Sequence, residues 1–284
     1  MIEKNYPLDG LCTYKTGGKA ESYSRVKTDA ELREALMYAY DNKKEIIILG
    51  GGYNVLVHDS GVKGMVINTA GLNGYIVRDG DSVYAGAGVS IDSLAEWTCE
   101  NGLKGLEDMS GIPGTVGGAV KMNAGAFTQE IKDSAVEIDM MSLDGGTYRV
   151  KGADAGFGYR RADNLKGVVL GAVFRLEEAD REELKKRRTD ILAKRQEKQP
   201  LDFPSCGSVF KRPEGNYAGT LIEQCGLKGY RIGGAVVSEK HANFILNIDN
   251  ATSSDIYNLI CHVKETVKEQ TGITLEQEVR LIGF

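Results

Sequence analysis

The chain has 284 residues, 42% of them hydrophobic and 26% charged, and a formal net charge of −5. This composition is that of a folded globular protein, and the negative charge argues against nucleic acid as a main partner. No apolar run approaches the roughly 18 residues of a membrane-spanning helix, and the polar start lacks the apolar core of a signal peptide. We therefore expect a cytoplasmic protein without a membrane partner.

Glycine and cysteine narrow the possibilities further. The chain has 36 glycines but only 5 prolines, which excludes collagen-like and proline-rich linker sequences. Many glycines predict places where the backbone approaches another group closely. The 5 cysteines form no CxxC pair, so the sequence predicts reduced thiols and no metal site.

The first third of the chain predicts a helix, a strand and a glycine turn in that order. Residues 28–31 resemble a capping box, and apolar residues then recur at helical spacing as far as Tyr40. The strand-length apolar run 46–49 stops at the glycines 50–52. Short strands are predicted within residues 62–88, followed by a helix over residues 90–101.

The second half predicts strands near 136–141 and 168–174, and then an abrupt change of composition at Glu177. We place a domain boundary there, which gives domains 1–178 and 179–284. Residues 181–198 predict a solvated connecting helix and not a nucleic-acid arm, because acidic residues alternate with basic ones.

The last hundred residues repeat the mixed pattern of helix and strand. A strand is predicted over residues 243–247, and a helix begins near Ser253 and stops at Gly272. A final strand is predicted over residues 273–282, and it could return to the first domain.

Two glycine clusters, residues 49–57 and 110–126, are the candidates for ligand binding. Neither fits GxGxxG or the P-loop pattern. Both can expose backbone N–H groups without Cβ obstruction, as phosphate cradles do. Either cluster alone is explained as a tight turn, but the two together favour a dinucleotide held by loops.

Three further stretches combine glycine with polar residues: 157–161, 204–213 and 275–283. Taken singly, Arg160 could be a surface charge, Ser208 a turn residue, and Glu278 part of a strand face. The combination is more specific than its parts. The motifs in chain order are Gly-Gly-Gly-x-Asn-Val-Leu-Val, Ser-Gly-Ile-Pro-Gly-Thr-Val-Gly-Gly-Ala, Met-Asn-Ala-Gly-Ala, Gly-Tyr-Arg, Gly-Ser-Val-Phe-Lys, Gly-Tyr-Arg-Ile-Gly-Gly-Ala-x-Val-Ser-x-Lys-His-Ala-Asn-Phe and Glu-Val-Arg-Leu-Ile-Gly.

This ordered set resembles the UDP-N-acetylenolpyruvoylglucosamine reductase family over nearly the whole chain. The resemblance implies an α+β fold, with a two-part FAD-binding domain of vanillyl-alcohol-oxidase type followed by a smaller α+β substrate domain. It implies FAD as cofactor, NADPH as co-substrate, and reduction of UDP-N-acetylglucosamine enolpyruvate to UDP-N-acetylmuramate for peptidoglycan precursors. The expected state is a monomer.

The resemblance also implies roles for individual residues. Hydride addition to the enolpyruvyl β-carbon leaves charge on the carboxylate, which Arg160 and Glu278 would stabilise, while Ser208 would donate a proton to the α-carbon. The implied FAD-binding residues are Gly51, Gly52, Tyr53, Asn54, Val55, Leu56, Gly114, Thr115, Val116, Gly117, Gly118, Asn123 and Ala124. The implied substrate contacts are Tyr159, Lys211, Arg212 and His241.

Some positions depart from the family pattern. Tyr53 replaces a serine that many relatives have, Arg161 and Ala162 follow the catalytic arginine, and Arg212 replaces an asparagine of some relatives. The chain resembles the shorter subtype of the family. Two alternatives stay open at this point: an FAD-dependent oxidase of the same fold, and a nucleotide-sugar sensor without turnover.

Overall fold

The computed structural model describes all residues from 1 to 284. The helices are α1 Asp29–Asp41, α2 Ile91–Glu100, α3 Val116–Lys121, α4 Arg181–Lys198, α5 Ala218–Gln224 and α6 Ser253–Thr271. The strands are β1 Glu3–Pro7, β2 Lys19–Arg25, β3 Ile46–Leu49, β4 Val55–Val57, β5 Val62–Asn68, β6 Ile76–Asp79, β7 Ser82–Gly86, β8 Leu103–Lys104, β9 Gly125–Ala126, β10 Gln129–Glu130, β11 Ala135–Met141, β12 Thr147–Lys151, β13 Phe157–Gly158, β14 Arg161–Ala162, β15 Val168–Arg175, β16 Glu177–Glu178, β17 Arg231–Ile232, β18 Ala235–Val237, β19 Ile245–Asn247 and β20 Arg280–Ile282.

The ends of the main helices follow from their capping residues, as the sequence predicted. The Thr28 hydroxyl accepts the Glu31 N–H at 3.3 Å at the start of α1, and Ser90 caps α2 in the same way. Helix α6 ends at Gly272, which adopts a left-handed φ of 75°. These three helix predictions are confirmed.

Contacts along the chain define two units. The first unit consists of residues 1–3, 22–51 and 64–195, and the second unit consists of residues 4–21, 52–63 and 196–284. Each unit is thus assembled from separated stretches of chain. The boundary that we placed at residue 178, from the change of composition at Glu177, stays a prediction.

The first unit contains a five-stranded antiparallel sheet in the order β12-β11-β15-β7-β6. Strand β15 lies in the middle and is almost entirely buried, which explains its continuous apolar sequence. Strand β3 pairs with β5 in parallel in the same unit. Its core includes the fully buried side chains of Leu36, Leu94 and Phe174.

The second unit contains the antiparallel sheet β17-β18-β19, against which α6 packs. It also contains a parallel pair, β4 with β20, in which Arg280 lies opposite Val55. The predicted strand 273–282 was wrong for residues 273–279, because the regular strand begins only at Arg280. Gln277 instead forms an isolated bridge with Phe210, so this segment is extended but hydrogen-bonds to a loop.

Helix α4 forms where the sequence predicted it, but it is not simply solvated. Leu184 and Ile191 are buried, and the Arg188 side chain is only 13% exposed. The helical periodicity could not reveal the partners of its arginines, because these lie about eighty to a hundred residues earlier in the chain.

Candidate active site

The first glycine cluster leaves strand β3 and turns into β4. Gly52 has a left-handed φ of 73°, and a Cβ there would overlap the Leu11 carbonyl oxygen. Only glycine fits this position, for a packing reason independent of any ligand. Leu56 is fully buried, so its side chain belongs to the core, whereas the Tyr53 side chain is 42% exposed.

The second glycine cluster turns into the short helix α3. The Thr115 hydroxyl caps the helix by accepting the Gly118 N–H at 3.5 Å. The N–H groups of Val116 and Gly117 donate to the Val89 and Ala87 carbonyls at 2.8 and 2.9 Å. These two N–H groups are engaged within the protein, so Val116 and Gly117 would serve a ligand by close backbone approach and not as donors.

The two clusters meet in the first unit. A Cβ at Gly50 would lie 3.0 Å from the Thr115 hydroxyl, so the first turn passes directly over the cap of α3. A Cβ at Gly118 would meet only Thr115 Oγ1, at 3.6 Å. The surface beside Gly118 is therefore open.

Charged groups fix the loop that leads into the second cluster. The Gly111 N–H donates to Asp92 Oδ1 at 2.7 Å, and the same oxygen accepts Arg188 Nη1 at 2.5 Å. Burial alone would raise the pKa of Asp92, but the hydrogen bonds from Arg188 and Gly111 outweigh it and hold the pKa below its usual value. Helix α4 thus braces the entry to the second cluster.

Asn123 connects the second cluster to the hairpin that carries Arg160. This asparagine is fully buried, and its Nδ2 donates to the Gly158 carbonyl at 3.0 Å while its Oδ1 accepts the Lys132 N–H at 3.0 Å. The neighbouring Ala124 N–H is bonded to the Ala119 carbonyl. The Asn123 side chain therefore shapes the loop from within the protein.

Arg160 occupies the turn between β13 and β14 with a left-handed φ of 57°. This backbone conformation is unfavourable for a residue with a long side chain, and such strain is concentrated at functional positions. Its Nη2 donates to the Gly125 carbonyl at 3.1 Å, and its guanidinium lies 5.1 Å from the ring of Tyr159. The arginine is thereby held beside the second cluster in the first unit.

Ser208 and Glu278 lie on adjacent backbone segments of the second unit. Ser208 forms an antiparallel bridge with Phe244. Val209, the next residue, donates its N–H to the Asn243 carbonyl at 2.9 Å and accepts the Glu278 N–H at 2.8 Å. The serine segment is therefore fixed between two neighbours, and one of them carries Glu278.

Two asparagine side chains complete this arrangement. Asn243 is 8% exposed and binds both backbone groups of Phe210, accepting its N–H at 3.0 Å and donating to its carbonyl at 2.9 Å. Asn54 donates to the Glu278 carbonyl at 3.2 Å. Sequence reasoning assigned Asn54 to the cofactor and missed Asn243, although its place in the His-Ala-Asn-Phe motif was a usable signal.

The remaining predicted substrate contacts belong to both units. In the second unit, Lys211 forms an ion pair with Glu276, and the guanidinium of Arg212 lies 4.1 Å from the Tyr217 ring centroid. His241 Nδ1 accepts the Asn243 N–H at 3.2 Å, which leaves the ring proton on Nε2 when the ring is neutral. In the first unit, Tyr159 is 45% exposed.

Comparison with known proteins agrees with this geometry. Residues 20–151 match the profile of the family described as FAD binding domain. Residues 199–282 match the profile described as UDP-N-acetylenolpyruvoylglucosamine reductase, C-terminal domain. A solved structure of 6-hydroxy-D-nicotine oxidase from Arthrobacter nicotinovorans superposes with a TM-score of 0.51 at 16% identity, over 98% of this chain and 61% of that one, and supports the fold alone.

The fold, the paired glycine loops and the FAD binding domain define an FAD-binding oxidoreductase. The expected α+β fold with a two-part FAD-binding domain and a smaller second domain is confirmed. No helix combines the length and apolar character needed to cross a bilayer.

Full-length relatives identify the family. The reductase of Limosilactobacillus reuteri is 45% identical over 99% of this chain and 95% of its own length, and that of Staphylococcus aureus strain COL is 40% identical over 99% and 92%. The crystal structure of UDP-N-acetylenolpyruvylglucosamine reductase from Thermus caldophilus matches with a TM-score of 0.85 and 33% identity, over 99% of this chain and 98% of that one. The chain belongs to the UDP-N-acetylenolpyruvoylglucosamine reductase family.

Proposed function

We propose that this protein reduces the enolpyruvyl ether of UDP-N-acetylglucosamine enolpyruvate to the lactyl ether of UDP-N-acetylmuramate, with NADPH as the hydride source. Residues 1–178 bind FAD and residues 179–284 bind the nucleotide sugar. The protein acts as a monomer in the cytoplasm, in peptidoglycan precursor synthesis. Membership of the reductase family, together with the FAD binding domain, supports this assignment.

The observation that carries the proposal is that the two glycine clusters meet. A Cβ at Gly50, in the first cluster, would lie 3.0 Å from the Thr115 hydroxyl, in the second. When bound, FAD supplies the carrier that takes hydride from NADPH and passes it to the substrate β-carbon. The open surface beside Gly118 would hold its pyrophosphate. Gly51, Gly52 and Asn54 of the first cluster would also contact FAD.

The chain's own residues control the charge and the proton of the second half of the reaction. Arg160, held in its strained turn, provides a fixed positive charge for the substrate carboxylate. Glu278, with its carboxyl group protonated when the substrate is bound, would donate a hydrogen bond to the same developing charge. Ser208 donates the proton to the α-carbon, and its fixed backbone supplies the positional precision that a weak acid requires.

The cationic groups of Lys211 and Arg212 suit the substrate diphosphate. The ion pair between Lys211 and Glu276 opens when the diphosphate replaces the carboxylate as partner. Tyr159 and the Nε2–H of His241 provide further polar contacts.

An anaerobic titration of the purified protein tests the assignment. We expect the yellow protein to release FAD on acid precipitation, to be bleached by NADPH, and to be reoxidised by the enolpyruvyl substrate. Bleached protein that only air reoxidises would be an oxidase, and protein that NADPH never bleaches would be a sensor. Either result contradicts the proposal.

The variant Ser208→Ala tests the role of the serine. Only the second half-reaction needs a proton on carbon, so anaerobic stopped-flow mixing with NADPH should bleach the variant's flavin at nearly the wild-type rate. Later mixing with the enolpyruvyl substrate should form product about 10²- to 10⁴-fold more slowly. Ser205→Ala is the matched control. Equal slowing of both halves would indicate damage to the flavin site, and an unaffected second half would place the proton donor elsewhere.

A further inference from the structure

Two buried cysteines of the second unit share one hydrogen-bond acceptor. The sulfur atoms of Cys12 and Cys206 lie 3.1 and 3.0 Å from the carbonyl oxygen of Val55. Their side chains also hydrogen-bond to each other. Their side chains are 1% and 5% exposed, respectively. A pair of thiols this close is placed for bond formation between the two sulfurs.

The two thiols differ in their protonation. The hydrogen bond from Cys206 lowers the pKa of Cys12 to about 7, although burial opposes this shift. Burial raises the pKa of Cys206 well above its ordinary value, and the nearby Cys12 adds to this increase. Cys12 is therefore the more acidic thiol of the pair, and Cys206 is the less acidic one.

Other polar groups face the pair within the second unit. The Thr13 hydroxyl lies 3.2 Å from the Cys206 sulfur. The Tyr14 side chain is completely buried, and burial together with the two thiols raises the pKa of Tyr14, while a hydrogen bond from the Cys206 backbone opposes the increase.

We propose that Cys12 and Cys206 are a redox modification site, at which a peroxide forms a reversible disulfide that slows the step assigned to Ser208. The Cys12 thiolate attacks one peroxide oxygen, which gives a sulfenic acid and releases one water once protonated. The Cys206 sulfur then attacks the sulfenic sulfur and releases a second water. Two thiols and one hydrogen peroxide thus yield one disulfide and two waters.

The disulfide would alter the backbone on both sides of the proposed proton donor. Cys206 precedes Ser208 by two residues, and the intervening Gly207 has a left-handed φ of 73° with no atom within 4 Å of a Cβ. Forming the disulfide brings the Cys12 and Cys206 sulfur atoms to about 2.05 Å from each other, which is much shorter than the separation of two hydrogen-bonded thiols. The Val55 carbonyl simultaneously loses its thiol donors, next to Asn54, which holds the Glu278 carbonyl.

Peptide mapping of the FAD-loaded full chain tests the bond itself. The protein is treated with hydrogen peroxide, alkylated, and digested with trypsin without reductant. We expect peptides 5–15 and 199–211, each with a single cysteine, to appear as one linked species that reductant separates. The same treatment of Cys225→Ser should give the same link, because Cys225 lies outside the pair.

The variants Cys12→Ser and Cys206→Ala should both abolish the link. Because the wild-type result needs no substitution, a variant that fails to fold leaves the proposal testable. Sulfinic acid at Cys12 without a link, a link to another cysteine, or oxidation of Cys225 while both buried thiols persist would each overturn the proposal.

The effect on turnover rests on the proposed function, and it is measured separately from the link. In linked protein we expect enolpyruvyl reduction to slow on the order of tenfold or more, with recovery after reductant. Bleaching by NADPH should be nearly unchanged. A linked protein with unaltered turnover would overturn the regulatory half of the proposal. Protein that has no reductase activity before peroxide would refute the proposed function, while the mapped link would stand.

Discussion

The loop before Gly114 and the loop at Ser208 are held by different kinds of interaction. In the first unit, the Gly111 N–H is bound by Asp92, whose carboxylate is paired with Arg188. In the second unit, the segment around Ser208 is held by backbone bonds and by the uncharged side chain of Asn243. The first arrangement depends on charge, so pH and salt act on it directly.

The uncharged arrangement around Ser208 is sensitive to the loss of hydrogen-bonding groups and not to pH or salt. An amide that binds both backbone groups of Phe210 does not titrate, but no other side chain of its size can donate and accept in the same way. The comparison therefore predicts that the cofactor side is sensitive to charge removal, while the proton-donor side is sensitive to the loss of a single amide. Substitutions at five positions, Gly117, Gly118, Asn243, Asp92 and His241, test this difference, starting with the largest effect.

Gly117→Val should produce protein without FAD. A Cβ at Gly117 would lie 3.0 Å from Ala87 Cβ and 3.3 Å from its carbonyl oxygen, so a branched side chain forces α3 away from Ala87, the residue that follows β7. We expect flavin occupancy near zero and a loss of about 1–3 kcal/mol in the free energy of unfolding. The absorbance of the purified protein and a denaturant titration measure these two effects.

Two further variants separate packing from ligand approach. Gly74→Ala is the control, because its Cβ would meet nothing nearer than 3.7 Å. Gly118→Ala should keep the wild-type melting temperature but bind FAD more weakly, since its methyl group fills the open surface beside Thr115. Full FAD occupancy in both Gly117→Val and Gly118→Ala would show that the pyrophosphate lies elsewhere.

These contacts show what the sequence could and could not predict. Thr28, Ser90 and Gly272 set helix ends through bonds to residues a few positions away, so local pattern sufficed. A dinucleotide ligand was predicted only because two glycine motifs of one chemistry occurred together, and the contact between Gly50 and Thr115 was not predicted. The hydrogen bonds between the Asn243 side chain and the Phe210 backbone join residues 33 positions apart, and no local periodicity predicts them. The same limit explains why the final strand was predicted to be too long. The residues before Arg280 hydrogen-bond to the loop that carries Ser208.

Asn243→Leu should affect the second half-reaction most. It leaves the N–H and carbonyl of Phe210 without their partners in a buried position, at a cost of about 1–3 kcal/mol each. The Ser208 segment then loses one of its supports, and we expect the enolpyruvyl step to slow on the order of 10²-fold. Stopped-flow comparison of the two half-reactions measures this effect.

The exposed Asn258 on α6 provides the control for this variant, as Asn258→Leu. A purely structural role for Asn243 would slow both halves equally or lower only the melting temperature. Asn243→Asp should resemble the leucine variant, because a carboxylate cannot donate to the Phe210 carbonyl. Wild-type turnover in the aspartate variant would contradict the role of Asn243 in holding the Phe210 backbone.

Asp92→Asn should have a smaller effect, and one that depends on pH. The amide oxygen can still accept the Gly111 N–H, but Arg188 loses its closest charge, so we expect about 1–3 kcal/mol of destabilisation near neutral pH. Because the folded pKa of Asp92 is lowered, its contribution is present above the unfolded value of 3.8 and is lost as pH falls through the folded value. Urea titrations at several pH values measure this.

The control for Asp92 is the exposed pair of Arg231 and Asp249 in the second unit, 2.9 Å apart with side chains 47% and 69% exposed. Asp249→Asn should cost less than about 1 kcal/mol. Added salt should narrow the difference between wild type and Asp92→Asn only partly, since Arg188 is mostly shielded from solvent. Equal effects of the two substitutions would show that the loop before Gly114 does not depend on the ion pair of Asp92 with Arg188.

His241 should give the smallest effect, and it tests the neutral side of the comparison. Burial lowers the pKa of His241 below its ordinary 6.5, and Lys228 adds to this, so the ring is neutral at pH 7 and Nδ1 can accept the Asn243 N–H. A lowered folded pKa means that its contribution to stability is fully present above 6.5. That contribution is lost as pH falls through the folded value.

The expected loss is a few tenths of a kcal/mol, because part of the ring remains in contact with solvent. His241→Asn, which keeps an acceptor near the position of Nδ1, should remove this pH dependence, whereas His262→Asn on α6 should not. NMR titration of the ring protons gives the midpoint directly. A His241 midpoint at or above 6.5 would mean that the protonated ring is accommodated in the folded state. The loop at Ser208 would then depend on charge as the loop before Gly114 does, and the contrast between the two units would be lost at this position.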